Sequence, residues 1–238
     1  MTPAELPRGQ GGGGVAVHGC IVGGTRATLG RMVTDDQLSE LVALVARWAL
    51  GAKYRIVTAE SCTGGWIAKV FTDAAGSSRW FDCGYVTYSN EAKVRDLGVS
   101  LRTLEEHGAV SEPTVREMAA GALRVTGADI SIAVSGIAGP DGGSAEKPVG
   151  TVWLCVGRRR AGGSGAGPGA MVIAGAGAEG AAGAGGVAAV GQAGPSAAAG
   201  PDIELLAEGQ LFGGDREAVR RASVQRALEF VLQFEKHV

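Results

Sequence analysis

The sequence is poor in the residues from which metal centres and histidine-based active sites are built. Its 238 residues include four cysteines and three histidines. The cysteines are far apart and form no Cys-x-x-Cys pair, which argues against a zinc site and favours free thiols in a reducing compartment; they are Cys20, Cys62, Cys83 and Cys155. The histidines suit a Ser-His-Asp triad poorly, since two lie near the chain ends and one follows a predicted helix; they are His18, His107 and His237.

Long apolar runs and an excess of positive charge are also absent from the sequence. No stretch of about 18 apolar residues occurs, so no membrane span is predicted. The net charge is −2 and the pI is about 6.0, which gives no broad basic surface, and no nucleic-acid partner is expected. Aromatic residues make up 5 % of the chain and apolar residues 45 %, so the sequence predicts a core that is mostly aliphatic.

Two segments differ from the rest in composition. Residues 1–33 lack the apolar stretch of a signal peptide and carry four consecutive glycines. We expect a disordered tail or an artefact of the gene model there, and a cytoplasmic protein, with targeting to an organelle left open by the arginines of the segment. Glycine and alanine occupy 29 of the 40 positions in 161–200, which predicts a flexible insertion. The G-x-G-x-x-G match at 175–180 is a chance event in such a tract.

The remaining chain, 34–238 without the insertion, is predicted to be one domain in which helices and strands alternate. Thr34 and Gln37 form a capping-box pattern that starts the first helix, and Gly51 is a plausible end for it. Ser111 is a predicted N-cap with a proline in the turn that follows. Further helices are predicted at 64–72, 90–98 and 215–234, and strands at 54–60, 82–89, 129–135, 150–157 and 203–212. Because the last two strands pair as a hairpin, the pattern predicts an α/β fold with a mixed sheet.

Three polar loops each follow a predicted strand. They span residues 59–65, 87–93 and 135–143. Ligands of open α/β sheets bind beyond the carboxyl ends of the strands, so three such loops on one edge would form a single pocket. The third loop contains four glycines and a proline. It is either a long turn or a nest of backbone amides that holds a phosphate or ribose.

The first two loops allow a structural and a catalytic interpretation. Ser61 or Thr63 could cap the helix that begins near Gly64, or Ser61 could be a nucleophile beside amides of the helix N-terminus that bind an oxyanion. Asn90 can cap the following helix. Lys93 is either solvated or buried beside Ser61 with a lowered pKa, as the base of a Ser–Lys pair.

Four segments closely resemble the C-terminal domain of the CinA competence/damage-inducible proteins, which is similar to the stand-alone nicotinamide-nucleotide amidohydrolases. The resemblance covers about residues 36–157 and 203–235, and several long motifs occur in the order of the family. The segments read TAESCTGGWIAKVFTDAAGSSRWFDCGYVTYSNEAKVRDLGV, GAVSEPTVREMAAGAL, SGIAGPDGGSAEKPVGTVW and FGGDREAVRRASVQRALEFVL.

The resemblance implies a three-layer α/β/α sandwich and hydrolysis of nicotinamide mononucleotide to nicotinate mononucleotide and ammonia, a step of pyridine-nucleotide salvage. It implies a small-molecule nucleotide substrate, no metal or organic cofactor, and a homo-oligomer. Ser61 is implied as the nucleophile, Lys93 as its base and Tyr88 as a helper in proton transfer. The residues implied to shape the oxyanion, phosphate and nucleotide environment are Thr63, Gly64, Gly65, Asn90, Ser135, Gly136, Gly139, Pro140, Asp141, Gly142, Gly143 and Arg216.

Two departures from the family affect these expectations. Residues 1–33 cannot hold the additional N-terminal domain of the larger CinA proteins, and the insertion at 161–200 is unlike the compact hairpin of the family. Glu60 has no assigned role, and Cys62 is expected to face inward. The alternative to an enzyme is a non-catalytic nucleotide-binding module, or an interaction module linked to competence or DNA damage.

Overall fold

The computed structural model describes residues 33–160 and 203–236, which contain six α-helices and five strands. The helices are α1 (Asp35–Ala52), α2 (Trp66–Asp73), α3 (Asn90–Leu97), α4 (Leu101–His107), α5 (Glu112–Thr126) and α6 (Arg216–Glu235). The strands are β1 (Ile56–Glu60), β2 (Phe81–Val86), β3 (Ile130–Gly136), β4 (Thr151–Arg159) and β5 (Ile203–Leu211). Within these ranges no helix combines the length and apolar character that a membrane crossing requires.

The predictions for the tail, the insertion and the G-x-G-x-x-G match concern residues outside the described ranges, apart from Val33. The predicted strand pair that flanks the insertion is confirmed. Strands β4 and β5 pair antiparallel, from Thr151 opposite Leu211 to Arg159 opposite Ile203.

The sheet is mixed, as the sequence predicts. Its strand order is β2-β1-β3-β4-β5. Strands β2, β1 and β3 are parallel neighbours, while β4 runs antiparallel to β3 and β5 antiparallel to β4. The carboxyl ends of three adjacent strands therefore meet at one edge of the sheet, where each continues into a polar loop.

Helices cover both faces of the sheet, which confirms the three-layer α/β/α sandwich. On one face α1, α2 and α6 pack against alternate residues of the central strands, such as Ile132 and Leu154. On the other face α3 and α5 pack against the residues between them, such as Ala133 and Cys155. The two cores are mostly aliphatic, as expected, and Trp80, Phe71 and Phe81 form an aromatic cluster in the first.

Local capping signals mark some helix ends correctly and others not. Thr34 and Gln37 form the predicted capping box, and Ser111 is the N-cap of α5. Gly51 is not the end of α1, because the helix continues and Lys53 takes the left-handed conformation while its N–H bonds back to the last turn. Asn90 is not the cap of α3 either, since the Ser89 hydroxyl accepts the free amide of Ala92 at 3.1 Å.

A glycine sets the position of α3 against α5. A Cβ atom on Gly121 of α5 would overlap the carbonyl oxygen of Leu97 at the end of α3. Only a residue without a side chain lets the two helices approach this closely. Because α3 carries Lys93, this contact helps to fix the position of that lysine relative to the sheet.

Candidate active site

The three polar loops converge at the edge where β1, β2 and β3 end. The ladder extends past the strands, since the Ser61 amide donates to Val134 at 3.0 Å and the Thr87 amide donates to Glu60 at 2.9 Å. These bonds tie the start of the first loop to β3 and the start of the second loop to β1. The loops therefore leave the sheet side by side, as the sequence predicts.

Lys93 and Ser61 form the central contact of this edge. The Lys93 Nζ lies 3.1 Å from the Ser61 Oγ and also donates to the carbonyls of Thr87 at 2.8 Å and Tyr88 at 3.3 Å. Lys93 is 1 % exposed and Ser61 8 %. Burial lowers the pKa of the Lys93 ammonium group below its ordinary value. A lysine that loses its proton readily, within reach of a serine hydroxyl, can act as a base toward that hydroxyl.

Glu60 caps the start of α2, a role for which the sequence offered Ser61 or Thr63. Its carboxylate is fully buried and accepts the amides of Ile67 at 3.0 Å and Ala68 at 2.8 Å, the free donors at the start of that helix. The Thr63 hydroxyl donates to the same carboxylate at 2.8 Å. The expectation that Ser61 or Thr63 caps α2 is therefore wrong. The α2 N-terminus also does not offer these amides to a ligand, because Glu60 already provides the anion that the helix dipole favours.

Residues 61–65 form a tight turn between β1 and α2, which we call the serine turn. Gly64 and Gly65 have φ angles of 62° and 91°, the left-handed region that glycine enters without strain. The Gly64 amide is used inside the turn, where it donates to the Ser61 carbonyl at 3.0 Å. The amides of Cys62, Thr63 and Gly65 have no acceptor among the residues the structure describes. Because Thr63 is fully buried, the amides of Cys62 and Gly65 are the donors of the serine turn that are left for a ligand.

Arg220 of α6 binds the backbone of the serine turn. Its Nε donates to the Cys62 carbonyl at 3.1 Å and its Nη2 donates to the Thr63 carbonyl at 2.9 Å. The guanidinium carbon lies 5.2 Å from the centre of the Trp66 ring, at the first residue of α2. Arg220 thus joins the serine turn to the last helix of the chain.

Cys62, next to Ser61, faces inward as expected. Its side chain is buried, and burial raises the pKa of the thiol to about 12. The thiol stays protonated and is a poor nucleophile near neutral pH. The sulfur faces β3, because a Cβ atom on Gly136 would lie 3.1 Å from it.

Tyr88 and Arg216 link the second and third loops. The Tyr88 hydroxyl lies 3.0 Å from the Arg216 Nη2, and Arg216 Nη1 donates to the Gly139 carbonyl at 2.7 Å. Tyr88 is 61 % exposed, so its ring lies toward solvent while its carbonyl accepts a hydrogen bond from Lys93. Asn90, the first residue of α3, is also exposed. The structure therefore brings Tyr88, Arg216 and the third loop together on the open side.

The third loop divides into an anchored part and an exposed part. Ser135 is buried and its hydroxyl donates to the Ala109 carbonyl at 2.8 Å, while Gly139 is buried against Val149. The exposed part contains Pro140, Asp141, Gly142 and Gly143, the two glycines with φ angles of 86° and 92°. The segment that follows the third loop is bound to the end of α4, because the Lys147 Nζ donates to the carbonyl of His107 at 2.7 Å.

Two residues of this edge were not found by sequence reasoning, Glu60 as a helix cap and Arg220. A weak signal for Arg220 exists, since it lies four positions after Arg216 and so on the same face of a helix. No such signal exists for the Glu60 contacts. Among the described residues no group of His, Cys, Asp and Glu side chains has the arrangement of a metal site.

Comparisons with known proteins point to one family. Residues 38–164 match the family described as CinA C-terminal domain. The chain is 59 % identical over 122 residues to nicotinamide-nucleotide amidohydrolase PncC of Escherichia coli K12, covering 51 % of this chain and 74 % of that protein. It is 45 % identical over 202 residues to the protein of the same name from Enterobacter agglomerans, covering 84 % of this chain and 97 % of that one.

The fold has close counterparts among solved structures. A crystal structure of the competence damage-inducible protein A (ComA) from Klebsiella pneumoniae superposes with a TM-score of 0.64 at 34 % identity. The superposition covers 84 % of this chain and 98 % of that one. The sequence and the fold thus lead to the same group of proteins.

Proposed function

The chain belongs to the CinA C-terminal domain family, and we propose that it hydrolyses the carboxamide of nicotinamide mononucleotide to nicotinate mononucleotide and ammonia. The observation that carries the proposal is the buried contact between Lys93 and Ser61. The names of the relatives, nicotinamide-nucleotide amidohydrolase, supply the substrate class. The proposed reaction uses no metal or organic cofactor.

In the first half of the reaction Ser61 attacks the amide. The Ser61 Oγ forms a bond to the carboxamide carbon while its proton passes to the neutral Nζ of Lys93. The tetrahedral intermediate collapses when the C–N bond breaks and the nitrogen receives a proton from Lys93, directly or through the Tyr88 hydroxyl. Ammonia leaves, and the nicotinoyl group remains on Ser61 as an ester.

The negative oxygen of the tetrahedral intermediate needs hydrogen-bond donors that are already in place. We assign this role to the free amides of the serine turn, with Thr63, Gly64 and Gly65 shaping the turn. Gly64 acts through its backbone conformation, since its own amide is engaged within the turn. In other enzymes the loss of one such donor raises the activation free energy by about 2.7–4 kcal/mol.

In the second half a water molecule hydrolyses the ester. Lys93 accepts one proton of the water as its oxygen attacks the acyl carbon. The C–O bond to Ser61 breaks, the proton returns to the Ser61 oxygen, and the carboxylic acid of the product ionises in solution. Ser61 and Lys93 are then back in their starting states, and the net reaction consumes one water per ammonia.

The nucleotide part of the substrate is assigned to the open side of the pocket. We assign Arg216 the pairing with the phosphate, and its contact with the Tyr88 hydroxyl at this side supports the assignment. Asn90 and the loop from Ser135 to Gly143 line the ribose and phosphate. Binding at this distance from the scissile bond orients the carboxamide toward Ser61.

Assembly and location are further parts of the proposal. We expect a homo-oligomer, as the family resemblance implies, which sedimentation of the purified protein would test. The described cysteines Cys62, Cys83 and Cys155 are free thiols, which suits a reducing compartment such as the cytoplasm.

Ammonia release by the purified protein tests the activity. The panel contains nicotinamide mononucleotide, nicotinamide riboside and the dinucleotide, and each compound is also tested for thermal stabilisation of the protein. Release of ammonia from the mononucleotide, with less from the riboside, supports the proposal. Stabilisation without turnover would instead favour a nucleotide-binding module.

A further inference from the structure

We propose that Glu60 and Arg220 are positioning residues of this reaction, which hold the serine turn from its two sides. The inference rests on the proposed hydrolysis, because it concerns how Ser61 and the free amides of the turn are aimed. Neither side chain has a hydrogen bond to Ser61 Oγ or to Lys93 in the described structure. Both act through the backbone and side chains that surround the nucleophile.

Glu60 fixes the sheet side of the serine turn. Its two carboxylate oxygens accept four hydrogen bonds, from the hydroxyls of Thr58 and Thr63 and from the amides of Ile67 and Ala68. These donors belong to β1, to the turn itself and to α2. A fully buried carboxylate is tolerated only when such donors satisfy it, so their mutual positions are strongly restrained. The turn must therefore bridge β1 and α2 at a fixed separation.

Arg220 fixes the orientation of the peptide groups in the serine turn. It holds the carbonyls of Cys62 and Thr63 toward α6. In a trans peptide the N–H points opposite to the carbonyl. The Thr63 amide, which follows the Cys62 carbonyl, is therefore turned away from α6. The Gly64 amide, which follows the Thr63 carbonyl, donates to the Ser61 carbonyl within the turn. Arg220 therefore fixes the two central peptide groups of the turn, which lie between the amides of Cys62 and Gly65 that are left for a ligand.

The two contacts exceed what a helix start requires. A single serine or aspartate at the N-cap satisfies the first amides of a helix in most proteins. Here the buried carboxylate of Glu60 and the guanidinium of Arg220 both bind the five-residue serine turn, which carries the nucleophile. Electrostatic stabilisation of a transition state depends on donors that do not move during the reaction, and this arrangement supplies such rigidity.

The test compares the steady-state constants of two variants with those of matched controls. Glu60→Gln leaves one group of the cluster without a suitable acceptor. Arg220→Lys replaces the planar fork, in which Nε and Nη2 each bond one carbonyl, with a single ammonium nitrogen. Glu117→Gln is the control for the carboxylate, since Glu117 accepts the Ser100 amide at 2.7 Å and the Thr103 hydroxyl at 2.6 Å at the start of α4. Arg226→Lys is the control on α6, where Arg226 pairs with Glu208 of β5.

Both test variants are expected to lose about 100-fold in kcat with nicotinamide mononucleotide while KM stays near the wild-type value, because misplaced donors act on the transition state. The double variant is expected to lose less than the product of the two, since both residues act through one turn. The controls are expected to keep the wild-type kcat. All are measured below the onset of thermal unfolding.

Thr63→Val provides a second approach if Glu60→Gln does not fold, because it removes one donor to the carboxylate and keeps the shape of the side chain. A kcat of the test variants equal to that of the controls would overturn the inference. So would a rise in KM at unchanged kcat. A wild-type protein that releases no ammonia is a separate result, which overturns the proposed function itself and with it the positioning role.

Discussion

The Nζ of Lys93 lies 3.1 Å from the Oγ of Ser61, although the two residues are 32 positions apart in the chain. The other hydrogen-bond partners of this amine in the described structure are two neutral carbonyl oxygens. A buried amine among neutral oxygens is the setting in which lysine gives up its proton. Such an amine can accept the proton of the serine hydroxyl, as the proposed mechanism requires.

Replacing Lys93 should abolish most of the activity without unfolding the protein. Lys93→Ala is expected to lower kcat by about 100- to 10,000-fold, the usual contribution of a general base. Lys69→Ala is the matched control, because Lys69 is exposed and paired with Asp73 on α2. Ammonia release and thermal unfolding are measured on both. Activity of the Lys93 variant near that of the control would contradict the role as base.

The activity should rise with pH. Lys93 accepts the serine proton only when it is neutral, and burial lowers its pKa below the ordinary lysine value of 10.5. The neutral fraction increases as the pH rises through this lowered pKa, so kcat/KM should climb and then level off before 10.5 is reached. A pH profile of kcat/KM checks the direction. A profile that is flat or falls across that range would contradict a neutral lysine as the base.

Loss of the Arg216 guanidinium should weaken recognition of the phosphate. Arg216→Gln is expected to raise KM for nicotinamide mononucleotide by about 10- to 100-fold, as for the loss of a charge-assisted hydrogen bond. The riboside lacks the phosphate, so its kcat/KM should change little. Arg226→Gln on the same helix serves as the control. An equal decrease of kcat/KM for both substrates would show that Arg216 does not bind the phosphate.

Two glycine-to-alanine changes in helices should have opposite effects on stability. Gly121→Ala forces a methyl group onto the Leu97 carbonyl and is expected to lower the free energy of unfolding by about 1–3 kcal/mol. Gly51→Ala lies in α1 with open space around it and is expected to raise it by about 0.5–1 kcal/mol. Urea unfolding measures both. Equal effects would mean that α3 can move away from α5 without loss of stability.

The sequence predicted those parts of the fold that depend on local signals. Capping at Thr34 and Ser111 follows from residues close together in the chain. The pairing of β4 with β5 follows from two strand patterns, one on each side of the insertion. The prediction failed at Gly51 because a lysine two positions later adopts the left-handed conformation instead. It failed at Asn90 because Ser89 and Asn90 are both good capping residues, and the Ser89 hydroxyl is the one that accepts the helix amide.

The candidate site could be predicted only as far as the order of strands and loops allowed. Polar loops after three strands predicted a shared edge, and parallel pairing brings them together. The contacts of Arg220 with residues 62 and 63 bridge 158 and 157 positions, and no local pattern encodes them. Glu60 was missed for another reason. In the sequence, a carboxylate at the end of a strand is typical of a ligand-binding residue. Only the structure shows that this one accepts the amides of α2.

Ammonia release from nicotinamide mononucleotide by the wild-type protein and by Ser61→Ala, at equal folded concentration, tests the central claim most directly. The Ser61 hydroxyl forms a hydrogen bond with no side chain other than that of Lys93 in the described structure, so the alanine variant should stay folded, as thermal unfolding would verify. The account predicts stoichiometric ammonia and nicotinate mononucleotide from the wild type and almost none from the variant. Ammonia release by Ser61→Ala at a rate near that of the wild type would contradict it.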